Sequence, residues 1–192
     1  MVQLQKSIDK KNAVLEATLI LVNQGGVKSA SMAKIAKLAN VSPATIYLYF
    51  ENKQDLINQL YLSIKTEYAQ YVFNNYRFSG HVKQDFEKIW LKMADFMLNH
   101  IEKGYFLTQC NNSPIVDEPT LEKGVELLNP LKRLWEKGIE ANHIKDVSLF
   151  VLFAFSVYPI AFLSNTQQTK KYKFKKDCLN QAFQSAWDAI KK

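Results

Sequence analysis

The stretch from Ser31 to Lys53, SMAKIAKLANVSPATIYLYFENK, constrains this chain more than any other. Met32, Ile35, Ala36 and Ala39 fall at i, i+3, i+4 and i+7, one face of a short helix. Asn40 follows, a residue whose short side chain tolerates the positive φ of a helix end. Val41 can plug the gap between this helix and the next. Ser42-Pro43 is a paired start signal: Ser42 can cap free backbone N–H groups, and Pro43 fits the first helical position, where no donor is needed. The second helix, expected over Pro43–Phe50, holds Ile46 and Phe50 on one face. It leaves Pro43, Ala44, Thr45, Tyr47, Leu48 and Tyr49 as candidates for outward positions. Small residues at a helix N-terminus with tyrosines beyond suit entry into a DNA major groove. Any compact helical hairpin has the same periodicity. The outward face argues for DNA, being small, aromatic and hydroxylated rather than rich in Glu and Lys.

Around this stretch the 192 residues suffice for one domain or two small ones with a real core. Gly and Pro total only eleven, too few for a strand-rich architecture with many turns. The first helix is expected over Ser7–Gln24, with Val14, Leu15, Thr18, Leu21 and Val22 as its stripe and Gly25-Gly26 as its stop. Lys6, Lys10 and Lys11 at its start are either phosphate contacts or solvated surface. After Phe50, Asn52 can cap a further helix, with Asp55 three residues on in a capping-box-like position. Lys53, at the positive end of that helix, gains nothing from the dipole but adds to an anion site, so a phosphate contact is expected there.

From Val14 to Leu56 the chain resembles the N-terminal domain of the tetracycline-repressor (TetR) family, without a gap over 43 residues. The matching marks are Val14-Leu15, Ala17, Gly26, Ile35-Ala36, Val41-Ser42, Thr45, Tyr47, Phe50, Lys53 and Leu56. Asn40 and Ala44 stand where Gly is usual, Lys34 where an acid is frequent and Val22 where Phe is common. The resemblance implies an all-α fold: a three-helix DNA-binding domain with a helix-turn-helix (residues 1–52), then a helical ligand-binding and dimerisation domain (residues 53–192). It implies a homodimeric transcriptional regulator, usually a repressor, released from a double-stranded DNA operator by a small ligand; Cys110 and Cys178, read as reduced, fit a cytoplasmic protein. Carried over by position, Tyr47, Tyr49 and Lys53 match residues that hold the phosphate backbone. Pro43, Ala44 and Thr45 match the positions nearest the bases, with Ser31 at the start of the supporting helix and Ser42 at the start of the recognition helix.

The residues themselves add a constraint. The cations are 23 Lys and two Arg, Arg77 and Arg133, so residues 1–60 contain no arginine and no bidentate Arg–guanine contact. Ala44, Thr45 and Pro43 can touch thymine methyls, while Lys34 or Lys37 can reach a guanine or a phosphate. The operator is therefore expected to be read partly through thymine methyls and DNA shape. The net charge of +7 permits phosphate binding without establishing it.

The remainder reads as helix throughout. Leu56, Leu60, Ile64, Tyr68, Tyr71 and Val72 stripe a helix ending near Tyr76, and Ser79-Gly80 breaks it. Phe86, Ile89, Trp90, Met93, Phe96, Met97 and Ile101 stripe the next, expected to end at Gly104. A short segment, Tyr105–Cys110, precedes a loop over Asn111–Glu118. Pro119 opens a helix through Ile139 that Pro130 is expected to kink. Val147–Leu163 is the most apolar segment. Its seventeen residues approach a membrane span, but Ser148, Ser156, Tyr158 and Pro159 and the head before it argue for a helix buried on several sides. The five lysines between Thr166 and Lys176 read as a solvated loop. The last helix carries Leu179, Ala182, Phe183, Ala186 and Ile190. The resemblance pairs the last two helices with their symmetry mates in a four-helix bundle, where small Ala182 and Ala186 allow close approach.

Trp90, Met93, Phe96, Met97, Phe106, Trp135, Phe153 and Tyr158 are candidates to line a ligand cavity, each also readable as plain core. Their abundance favours an apolar or aromatic effector. His81, His100 and His143 have no metal-binding spacing, and Cys110 and Cys178 follow no metal or redox pattern, so no metal or cofactor is expected. The residues that an enzyme would need, a nucleophile–base pair, paired carboxylates or a phosphate-cradling loop, are not recognisable. The alternative to a regulator is a helical dimer that binds a small molecule or protein without specific operator recognition. Its mark would be steeply salt-dependent DNA binding with no preferred sequence.

Overall fold

The computed structural model describes residues 2–168 and 177–192. The lysine run at 170, 171, 173, 175 and 176 lies outside the described residues. Among the described residues the elements are helical: α1 (Val2–Ser29), α2 (Met32–Leu38), α3 (Pro43–Tyr47), α4 (Lys53–Phe73), α5 (Val82–Asn99), α6 (Ile101–Asn112), α7 (Glu118–Glu126), α8 (Asn129–Glu140), α9 (Leu149–Leu152), a π-helical turn (Phe153–Val157), α10 (Tyr158–Gln168) and α11 (Cys178–Ile190). The chain is all-α. It divides into two compact units, residues 1–64 with 106–123, and residues 65–105 with 124–192.

The N-terminal unit is closed by apolar faces meeting around Val14, Val22, Ile35, Ile46, Phe50, Leu56 and Leu60, all buried. Each element ends where a particular residue ends it. Gly26 takes φ +73° and interrupts α1, as the glycine pair implied. Asn40 takes φ +53° after α2. The recognition helix α3 stops at Tyr47 rather than Phe50. Asn52 accepts from the Asp55 N–H at 2.9 Å, and the Asp55 carboxylate accepts from the Glu51 N–H at 2.9 Å, which fixes the start of α4. Residues 106–123 join this unit through side chains on α4: Gln54 donates to the Ile115 carbonyl (3.0 Å) and Asn58 to the Asp117 carboxylate (2.6 Å).

The C-terminal unit has a core of Phe86, Ile89, Trp90, Met93, Phe96, Leu131, Leu134, Trp135, Phe183 and Ile190. Several boundaries differ from expectation. The helix expected to run to Gly104 breaks at Asn99–His100, and Gly104 lies inside α6 against Met97. The Ser164 hydroxyl donates to the Met97 carbonyl (2.8 Å), which fills an acceptor near the end of α5. Tyr105–Cys110 is helical, part of α6. Pro130 opens a separate helix after Leu128, a position where its missing N–H costs nothing, rather than kinking a continuous one. The first long helix of this region ends at Phe73.

The apolar segment is long and apolar enough, by length and composition, to cross a membrane over Leu149–Thr166. It is not buried on several sides within one chain. Leu152, Ser156 and Ile160 face the core, whereas Phe150 (80%), Phe155 (62%) and Phe162 (70%) are exposed. The π turn in its middle leaves the Ser156 carbonyl to accept from the Trp90 indole N–H at 2.6 Å.

Candidate nucleic-acid interface

The recognition helix begins from its side chains. Ser42 Oγ accepts from the Thr45 N–H (3.1 Å) and shares a hydrogen bond with Thr45 Oγ1 (2.9 Å). Pro43 occupies the first turn without wasting a donor. Ser31 does the same for α2, accepting from the Lys34 N–H at 3.3 Å. Ile46 and Phe50 are buried beneath, so α3 is pinned by its apolar face and its start while the other face stays open.

That open face holds Ser42, Pro43, Ala44 and Tyr47, all exposed, with Thr45 half-buried. Ser31 and Lys34 are exposed on α2. Tyr47 is 56% exposed and Leu48, just past the helix, 79% exposed. Sequence reasoning placed Leu48 outward without giving it a role. A leucine this exposed beside the recognition helix offers the same kind of apolar contact as Ala44. The surface is short, apolar and hydroxylated, able to meet thymine methyls and phosphate oxygens but poor in donors for base edges.

Two expected phosphate contacts, Lys53 and Tyr49, and one lysine left open between phosphate and solvent, Lys11, have partners within the protein. The Lys53 ammonium donates to the Val27 carbonyl, tying α4 to the end of α1. It keeps two further N–H donors. The Tyr49 hydroxyl shares a hydrogen bond with Ser7 Oγ at 3.0 Å. The Lys11 ammonium lies 5.6 Å from the centre of the Phe50 ring, leaving Lys6 and Lys10 as the exposed lysines of the α1 start. These links were invisible in sequence because they join residues far apart along the chain.

The eight residues chosen to line a cavity are spread through the fold. Trp90, Met93, Phe96, Met97 and Trp135 are buried in the C-terminal unit, Phe106 is buried in the N-terminal unit, Phe153 is half-buried and Tyr158 is 48% exposed. Trp135 and Phe153 meet edge to face, ring centres 4.8 Å apart. Phe86, Phe183 and Trp187, not among the eight, complete the aromatic cluster: Phe86 stands about 6 Å from Trp135, Phe183 and Trp187, and Phe183 lies 5.9 Å from Trp90. A helical stripe gives the same signal for every core aromatic, so nothing in sequence separates these two sets. Trp135 Nε1 is buried with no hydrogen-bond partner among the described residues, and such an orphan donor costs about 1–3 kcal/mol.

Two surface clefts belong to the same unit. One, of about 760 Å³, is lined by Glu67, Gln70, Tyr71, Asn74, Leu127 and Pro130 among others. Glu67 there is paired with Lys103 at 2.6 Å, and the Tyr71 hydroxyl donates to Asp95. The other, of about 440 Å³, runs past His81, Lys83, His143 and Lys192. None of the eight aromatic and methionine candidates lines either one. Among the described residues no group of His, Cys, Asp and Glu is arranged to hold a metal ion.

Comparison with known proteins matches this architecture from both ends. The family model described as "Bacterial regulatory proteins, tetR family" matches residues 14–60, and "Tetracyclin repressor-like, C-terminal domain" matches residues 81–191. The chain is 34% identical over 145 residues to the fatty acid metabolism regulator protein of Bacillus subtilis, covering 69% of this chain and 70% of that one. It is 25% identical over 195 residues to an HTH-type transcriptional regulator of Haemophilus influenzae, covering 98% and 99%. Among solved structures, a TetR family transcription regulator from Marinobacter aquaeolei superposes with a TM-score of 0.88 at 24% identity, covering 100% and 99% of the two chains. The Bacillus subtilis regulator FadR in complex with stearoyl-CoA superposes with a TM-score of 0.73 at 17% identity, covering 93% and 96%. With one family model over the helix-turn-helix and another over more than half of the chain, this protein belongs to the TetR family of DNA-binding transcriptional regulators.

Proposed function

We propose that this protein is a cytoplasmic, homodimeric repressor that binds a palindromic operator and leaves it when an apolar or aromatic small molecule binds the C-terminal unit. The observation that carries the DNA half is the start of α3, where Ser42 caps and Pro43, Ala44, Thr45 and Tyr47 are left to meet the groove. Ser31 and Lys34 flank them on the neighbouring helix. Tyr49 and Lys53 are held by Ser7 and Val27, which orders them for a phosphate at the rim. The dimer half rests on the exposed phenylalanines of the Leu149–Thr166 segment, whose burial against a second copy would stabilise the pair by roughly 25 cal/mol per Å² of apolar surface. The division of labour runs near Asn52, with the head before it and the effector and dimer functions after it.

In a dimer, two recognition helices enter successive major grooves about 34–36 Å apart. An effector releases DNA only if it binds a state in which that spacing is lost better than the state in which it is kept. The Bacillus subtilis relative named for fatty acid metabolism and the FadR structure holding stearoyl-CoA make long-chain acyl compounds the first class to test. No catalytic role is assigned, in keeping with a family of regulators.

A second reading has one observation in its favour: residues 1–60 contain no arginine, so the head lacks the commonest reader of guanine. On that reading the chain binds a ligand or partner and holds DNA without sequence preference. Selection of random duplex DNA by the purified protein separates the two. A palindrome with half-sites about one helical turn apart is the expected result. Salt-sensitive binding with no enriched sequence would overturn the operator reading.

A further inference from the structure

Trp135 presents a donor with nothing to receive it. Its side chain is fully buried in the C-terminal unit, and among the described residues its indole N–H has no partner, while the Trp90 indole in the same core is satisfied by the Ser156 carbonyl at 2.6 Å. An ordered water would need two to four polar groups around it. The rings set against Trp135, those of Phe86 and Phe153, supply none. Phe153 stands edge to face on the indole, is itself half-buried, and is the first residue of the π turn. Phe153 is therefore a partly exposed ring set directly against the buried indole, mounted on a helical turn of a kind that recurs at functional sites.

We propose that the Trp135 indole N–H is the hydrogen-bond donor to an uncharged carbonyl oxygen of the apolar effector, which reaches it past Phe153. This rests on the effector reading above and names the chemistry of that site. An indole can only donate, so the ligand must bring an acceptor. The acceptor carries no charge, because the buried charged side chains of this unit are engaged elsewhere. Asp85 accepts from Ser79 at 2.7 and 2.8 Å, and the Lys65 ammonium lies over the Tyr68 ring. A carboxylate brought beside Trp135 would lack a countercharge in an apolar site. Esters, amides, ketones and thioesters of a long apolar chain fit; free acids and plain hydrocarbons fit less well.

The test uses the full-length protein labelled with 15N-tryptophan and three probes of equal chain length: methyl decanoate, decanoate and decane. Methyl decanoate should move the Trp135 indole proton downfield, and decane should leave it in place. Trp135→Phe should weaken methyl decanoate by about 2- to 12-fold, the worth of one ordinary hydrogen bond, and leave decane binding unchanged. If methyl decanoate binds the wild type and Trp135→Phe equally well, the effector reading stands and this assignment is wrong. If decanoate binds more tightly than its ester and shifts the same proton, the uncharged acceptor is wrong. Failure of all three probes to bind overturns the apolar-effector reading and this inference together. Should Trp135→Phe not fold, the wild-type signal decides alone, assigned through its contacts with the Phe153 ring protons. An indole proton that is already hydrogen-bonded in the free protein would overturn the proposal.

Discussion

Exposed apolar surface has a different form in the two units. In the N-terminal unit Leu38, Tyr47 and Leu48 are exposed beside or just beyond α2 and α3, mixed with hydroxyls. In the C-terminal unit Phe150, Phe155 and Phe162, with Val151 and Tyr158, are exposed on one continuous apolar segment. The first pattern is too small and too polar to drive association by burial, but suits a groove with alternating methyls and phosphates. The second is nearly pure hydrocarbon and gains only by being covered. A residue's exposure in a single chain thus says little until the chemistry of its neighbours is read with it.

The comparison breaks most visibly if charge is placed on the C-terminal stripe. Phe155→Glu with Phe162→Glu should leave the single chain folded, since both rings are exposed, but two uncompensated charges at several kcal/mol each should abolish the proposed dimer. Sedimentation should give a monomer, and operator affinity should fall by more than about 100-fold, each tenfold being about 1.4 kcal/mol. A variant that stays dimeric would remove the stripe from the interface.

Phe50→Ala tests the opposite case, a phenylalanine that is inside. It should cost about 3–5 kcal/mol of stability in thermal melts, whereas Phe155→Ala should barely move the melt of the isolated chain.

A pH titration treats both units alike. Burial pushes the Tyr61 hydroxyl of the N-terminal unit and the Tyr68 hydroxyl of the C-terminal unit well above the usual tyrosine range, and Tyr76 up to about 12. The folded state thus favours the neutral phenols while the unfolded chain ionises near pH 10. Stability is fully present below about pH 10 and is lost as pH rises toward the folded values. Denaturant midpoints between pH 9 and 11.5 should fall, and Tyr68→Phe should flatten the slope. A small effect is expected for Ser42→Ala, about 1 kcal/mol for a lost cap, read as a shift of a few degrees in melting temperature.

The N-terminal unit was the more legible because its helix ends are marked by residues with a specific job. Ser42-Pro43, Asn40, Gly26 and the Asn52–Asp55 pair act through backbone geometry that the residue type nearly dictates. In the C-terminal unit the breaks are set by contacts across the fold. Ser164 fills the Met97 carbonyl near the end of α5, and Gly104, a natural stop by composition, sits within a helix because it lets Met97 pack against it. Pro130 could either kink a helix or begin one, and only packing chooses. The DNA-facing residues could be picked from position, but not the internal partners of Lys53 and Tyr49. For the aromatic candidates, periodicity marks burial and cannot tell a ligand contact from core; the unpaired donor on Trp135 needed coordinates.

The π turn at Phe153–Val157 also bears on which changes of chain length the segment can absorb. A wider turn in an otherwise α-helical run accommodates one extra residue locally, so that the downstream helix keeps its facing. Removing one residue here, Ala154 for instance, should be tolerated more readily than a deletion in α5 or α8, because the turn can tighten to α geometry with Phe150 and Phe162 still on a common face. Tightening without a deletion would instead rotate Tyr158–Gln168 by about 100° and advance it by about 1.5 Å, the step of one residue. The apolar stripe tolerates a change of length at this place and is intolerant of a change of winding.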